Sequence, residues 1–148
     1  MRAASTLGVL ALACAALAGC ASQSPALEAV QLYEAALAGA QEVPPVASAA
    51  SGRAELRYES RSSMLQWRIT HAGLSGPITA AHFHGPAGPD QNGPALVPLN
   101  PAGAAITGQL RITPEQFTQL NSGHWYVNLH TAAHPQGEIR GQLRHRPD

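Results

Sequence analysis

The sequence predicts an all-β fold, an antiparallel sandwich or barrel carrying one short helix. Three observations predict it. Residues 53–59 and 65–70 alternate apolar and polar with a period of two. Short strand-like runs recur after them, separated by Gly, Pro and Asn. One stretch, residues 114–120, carries the start signals of a helix.

Taken in order, residues 30–37 (Val-Gln-Leu-Tyr-Glu-Ala-Ala-Leu) have helix-forming composition and also alternate acceptably for a strand, so both states stay open. In the next element Ala54, Leu56 and Tyr58 alternate with Arg53, Glu55, Arg57 and Glu59, which buries one face and wets the other. A turn at 60–63 leads to Leu65, Trp67 and Ile69 alternating with Gln66, Arg68 and Thr70, so the two runs form a hairpin. Further strands are expected at 79–84, 95–99, 104–112, 124–131 and 137–144, a spacing that suits an antiparallel sandwich or barrel. The helix at 114–120 has Thr113 to cap it, Pro114 at the first helical position and Gln116 where a capping box places its acceptor. Phe117 and Leu120 then close one end of the core.

The 148 residues have a hydrophobic fraction of 45% and nine Lys plus Arg against nine Asp plus Glu, which fits one globular domain with no basic surplus for nucleic acid. The first residues are of another kind. Met1-Arg2 gives a positive start, and residues 7–17 form an apolar run as long as a signal-peptide core but short of a bilayer span. Leu17-Ala18-Gly19-Cys20 resembles the bacterial lipobox, which implies a lipoprotein signal peptide over 1–19, lipidation at Cys20, a flexible tether over 20–29 and a domain over 30–148. The expected location is the cell envelope, lipid-anchored on the periplasmic or cell-surface side of a bacterial membrane. Both cysteines, Cys14 and Cys20, lie before the domain, so any metal site in it is built from nitrogen and oxygen.

All seven histidines lie after residue 70. On a strand, side chains two apart share a face at about 6.6 Å along the backbone, so His82 and His84 can grip one ion while Phe83 packs the other way. In the same manner His124, Tyr126, Asn128 and His130 share one face of their strand, and Trp125, Val127 and Leu129 share the opposite one. His82, His84 and His130 are the expected metal ligands, with His134 or His71 as the fourth; His124 and His145 read as surface residues. Imidazoles without thiolate favour copper, zinc or nickel. The loop at 85–94 is expected to present or cover whatever the histidines hold, with Asp90 as a further oxygen donor. Glu42 reads as fixing the turn before Pro44-Pro45, and Glu138 as a strand-edge hydrogen-bond acceptor.

Four motifs occur together: Gly39-Ala40-Gln41-Glu42-Val43-Pro44-Pro45, Ala81-His82-Phe83-His84-Gly85-Pro86, Tyr126-Val127-Asn128-Leu129-His130-Thr131, and Pro135-Gln136-Gly137-Glu138-Ile139-Arg140-Gly141-Gln142-Leu143. In this order they resemble the CHRD domain, named from chordin. The resemblance implies an immunoglobulin-like or superoxide-dismutase-like β-sandwich and makes residues 30–37 the first strand. The H-x-H strand with a later strand histidine is similar to the copper site of copper/zinc superoxide dismutases, which puts copper first and zinc second as the cofactor. The likeness is local, because residues 86–123 contain no histidine to stand for that family's bridging and zinc ligands. Arg140 invites comparison with that family's anion-guiding arginine, against the plainer reading of an outward cation or a partner for Glu138 or Glu42. Three functional expectations follow: a copper-binding envelope lipoprotein, a copper-dependent superoxide dismutase-like enzyme, or an extracytoplasmic protein-binding or structural module without metal.

Overall fold

In the computed structural model, residues 29–147 are described. The expected signal peptide, Cys20 and nearly all of the expected tether lie outside them. Residues 30–37 are the start of a strand, β1 (Val30–Ala38), with Gln31, Tyr33, Ala35 and Leu37 buried. Burial of every second residue is a strand's period, and β2 (Ser51–Glu59) pairs with β1 along its whole length, from Val30 opposite Glu59 to Ala38 opposite Ser51.

The predicted hairpin forms between β2 and β3 (Met64–Ala72), with Tyr58 opposite Leu65, Leu56 opposite Trp67 and Ala54 opposite Ile69 on the inner face. β4 (Ile78–His84), β5 (Ala95–Pro98), β6 (Ile106–Arg111) and β7 (Tyr126–Thr131) follow the expected spacing within a few residues. The run expected at 137–144 divides into β8 (Ile139–Gln142) and β9 (Arg144–Arg146). Between them the Leu143 amide donates to the Trp125 carbonyl at 2.9 Å, and β8 pairs with β7 while β9 pairs with β1.

Among the described residues, hydrogen bonding joins nine strands into one antiparallel sheet, in the order β5-β4-β7-β8-β1-β2-β3-β6 with β9 beside β1. The sheet curls into a half-barrel, so the two facing layers are parts of one sheet. Trp67 on β3 and Phe83 on β4 are remote in that order, yet their rings meet edge to face at 5.4 Å. Leu65, Ile69, Ile106, Trp125, Val127, Leu129 and Ile139 fill the concavity and are fully buried. The helix α1 (Pro114–Asn121) has the predicted capping box: the Gln116 amide donates to Thr113 Oγ1 at 3.2 Å and the Thr113 amide to Gln116 Oε1 at 2.9 Å. Its Leu120 is buried, and its Phe117 stacks on Tyr58 at 4.5 Å.

Every residue of β7 is buried. Core packing accounts for Val127 and Leu129. The burial of Asn128 and His130, on the other face, needs a cover outside the barrel, and that cover organises the candidate site.

Candidate metal centre

Strand register sets which side chains meet on the outer face of β4, β7 and β8. His82 stands opposite Asn128, which stands opposite Arg140; one row along, His84 stands opposite Tyr126 and Tyr126 opposite Gln142. His130 faces Ala80. A period of two sends all of these side chains outward while Phe83, Val127 and Ile139 enter the core.

One ring nitrogen from each of His82, His84 and His130 lies within 4.8 Å of the other two, a spacing that can hold a metal ion. His82 Nδ1 and His130 Nε2 are 3.3 Å apart. Backbone carbonyls orient two of the rings, with His84 Nδ1 lying 3.0 Å from the Gly93 oxygen and His130 Nδ1 3.0 Å from the Pro135 oxygen. A carbonyl only accepts, so each Nδ1 carries the proton and each Nε2 presents a lone pair, the arrangement in which metal-ligating histidines are held. His84 Nε2 is buried without a hydrogen-bond partner. His130 Nε2 lies 3.0 Å from Asn128 Oδ1. With Nδ1 protonated, Nε2 is an acceptor, and the N–H of His82 Nδ1 at 3.3 Å can donate to it. The orphaned His84 Nε2, beside the other two rings, fits a metal ion with nitrogen ligands. Burial lowers the His82 pKa below 6.5, with His130 and His84 adding to the effect. Burial, with His130 and Arg140 adding to it, also lowers that of His84 against the bond to Gly93. Both rings are thereby kept in the neutral form that ligates.

Asn128 is the participant that sequence reasoning left without a role, although its spacing from His130 already set both on one face. The expected fourth imidazole does not join the group. His71 lies on β3 opposite Gly52, and β8, β1 and β2 separate β3 from β7 in the sheet. His134 sits in the turn after β7, where its backbone oxygen receives the Gly137 amide at 3.1 Å. Asp90 is exposed and lines a cavity of about 280 Å³ with Glu42, Arg140 and Gln142, away from the three rings. His124 and His145 are exposed.

Arg140 differs from the outward cation of the plainer reading. It is 1% exposed, its guanidinium donates to the Gly88 carbonyl at 3.0 Å, Asn92 Oδ1 at 3.3 Å and Gln142 Oε1 at 3.2 Å, and Cζ lies 3.5 Å over the Tyr126 ring. Gln142 Nε2 adds bonds of 2.8 Å to the Ala87 and Gly123 carbonyls. The loop at 85–94 is thus fastened over β8 and β7, with the Arg140 side chain buried beneath it.

The two acidic motif residues diverge. Burial would raise Glu138, but the hydroxyls of Ser75, Thr131 and Ser48 at 2.6, 2.7 and 2.8 Å, with the Ser75 amide at 3.0 Å, hold it down at about 2. It is the acceptor the sequence predicted, tying three segments together beside β7. It does not pair with Arg140. Glu42 ends a 3-10 turn, its amide donating to the Gly39 carbonyl at 3.1 Å, and its side chain is buried with Oε1 unpartnered. Burial pushes its pKa up to about 7, against the opposing pull of Arg140 and Asn128.

No solved structure matches the chain. The family model of the CHRD domain matches residues 33–143, a span that contains all four motifs, the three clustered histidines and the loop that covers them. On that match, covering well over half of its length, the chain belongs to the CHRD domain family.

Proposed function

We propose that this protein is a cell-envelope lipoprotein whose CHRD domain binds a single copper ion, with zinc as the alternative occupant, through His82, His84 and His130. The observation that carries the reading is the convergence of three imidazole nitrogens within 4.8 Å. Two of those rings are held by carbonyls so that their Nε2 lone pairs stay available. Copper is preferred because the group contains neither thiolate nor carboxylate, and nitrogen donors bind Cu²⁺ most tightly among the first-row divalent ions. The envelope location rests on the lipobox-like Leu17-Ala18-Gly19-Cys20, through which a lipid on Cys20 would hold the domain at a membrane. Binding is favoured over superoxide turnover because Arg140, the cation that would guide an anion, is buried and already hydrogen-bonded under the loop.

The test is metal content after purification, followed by titration of the stripped protein with Cu²⁺ and Zn²⁺. Wild type and His145→Ala are expected to bind one equivalent, and His82→Ala to lose most of its affinity. Equal binding in the two variants would overturn the reading and leave a protein-binding or structural module. In the source cell, Cys20→Ala is expected to release or mislocalise the protein; unchanged processing and membrane association would refute the anchor.

A further inference from the structure

We propose that Arg140, Tyr126 and His84 form one stacked column in which the first two are positioning residues for the third. Its consequence for metal affinity rests on the reading of His84 as a ligand, but its geometry does not. The Arg140 guanidinium lies 3.5 Å from the centroid of the Tyr126 ring. On its other face that ring is stacked on His84, with centroids 4.7 Å apart and planes 6° from parallel. The three side chains come from adjacent strands, β8, β7 and β4. Tyr126 stands directly opposite His84, whereas Arg140 stands opposite Asn128. The guanidinium therefore crosses to Tyr126 along the diagonal, a separation that a long side chain spans.

Both ends of the column are fastened to the same loop. At one end Arg140 is held by Gly88 and Asn92, at 3.0 and 3.3 Å. At the other the Gly93 peptide donates its N–H to the Tyr126 hydroxyl at 3.2 Å and accepts from His84 Nδ1 at 3.0 Å. Two different freedoms of the imidazole are removed in this way. Stacking fixes the plane of the ring, and the bond to Gly93 fixes its rotation within that plane and its tautomer. Either restraint alone leaves the ring free to swing or to slide. Together they aim Nε2, which is buried and has no partner, at the position where His82 and His130 converge.

The experiment uses the full-length protein labelled with ¹⁵N-histidine, stripped of metal and observed by long-range ¹H–¹⁵N correlation, with Cu²⁺ titration in parallel. Wild type is expected to show His84 in a single Nδ1–H tautomer. Tyr126→Leu removes the central ring and is expected to mix the tautomers and weaken copper binding by about tenfold or more, the scale of outer-shell losses at metal sites. Tyr126→Phe restores the ring without the hydroxyl and is expected to recover most of both. Arg140→Lys keeps the charge but loses the flat guanidinium face, and is expected to shift the His84 signals in the same direction by a smaller amount. It carries the test if Tyr126→Leu does not fold. His84 signals unchanged in a folded Tyr126→Leu, or in Arg140→Lys where that variant carries the test, would overturn the column. Mixed tautomers in a protein that binds no metal would uphold the column and sink the metal reading instead.

Discussion

Replacing Glu42 by Gln is expected to stabilise the fold at neutral and alkaline pH and to destabilise it slightly in acid. Glu42 is 6% exposed, and no donor reaches its Oε1. Packing beside it is close: a Cβ added at Gly137 would stand 2.5 Å from that oxygen and 2.8 Å from Asn128 Nδ2. Burial raises the carboxyl from 4.5 to about 7, despite the neighbouring Arg140 and Asn128. The unfolded chain ionises the same group near its ordinary value. Between these two values the folded protein binds more protons than the unfolded one, so the group's contribution is full below pH 4.5 and is lost as pH rises through about 7. Converted at 1.36 kcal/mol per tenfold change, the shift costs the ionised fold about 3 kcal/mol above pH 7. Glutamine keeps the shape without the charge. Its amide must still find partners in the same tight space, which returns about 1 kcal/mol of the gain. Urea unfolding of wild type and Glu42→Gln at pH 4, 6 and 8 would read the effect as a net gain of about 2 kcal/mol at pH 8 that shrinks with falling pH and becomes a loss of about 1 kcal/mol at pH 4. A loss at pH 8, or the same gain at all three pH values, would refute the reasoning, because ion pairing with Arg140 or simple packing would then outweigh the desolvated charge.

Copper bound by wild type is expected to stay bound on acidification until the pH is below 6.5, because burial holds His82 and His84 neutral past that point, helped at His82 by the neighbouring rings. Occupancy followed by electron paramagnetic resonance checks this, and a release midpoint above pH 6.5 contradicts it. Glu138→Ala strands the hydroxyls of Ser48, Ser75 and Thr131 and is expected to cost about 3 kcal/mol at pH 7. Because folding lowers this carboxyl from 4.5 to about 2, its contribution is present above pH 4.5 and is lost as pH falls through about 2, so the gap between wild type and variant should narrow over that range. A gap constant down to pH 2 would show that the carboxylate's charge is not what holds the segments. Gly137→Ala is expected to cost about 3 kcal/mol in urea unfolding, from φ of +128° together with the contact on Glu42; a cost below about 1 kcal/mol would mean the neighbours give way.

Much of the fold was legible because a strand's signal is local. Alternation with period two in 53–59 and 65–70 reports which face is buried whatever lies opposite, and Thr113, Pro114 and Gln116 sit within one turn of the helix they start. His82 and His84 could be put on one face for the same reason, as could Asn128 and His130 on theirs. Residues 30–37 were ambiguous because their composition suits either state, and pairing with β2 decides between them.

What remained hidden depends on which strands become neighbours and on what lies over them. That β4 pairs with β7 brings His130 to His82, and His71 is kept away because it shares the inward parity of Trp67 and Ile69 on β3 while the three rings lie on the outer face. Arg140 read as an exposed cation because an outward position on a strand ordinarily faces water. It is buried because the loop at 85–94, whose Gly and Pro residues carry no sign of their docking partner, folds over β8 and binds it. Glu42 Oε1 and His84 Nε2 are likewise buried without a partner. By itself the sequence determined the elements and the faces of each strand, since those follow from the backbone's two-residue repeat; the ligand set, the buried charges and the stacked column were decided only by tertiary structure, because they arise from contacts between segments far apart in the chain.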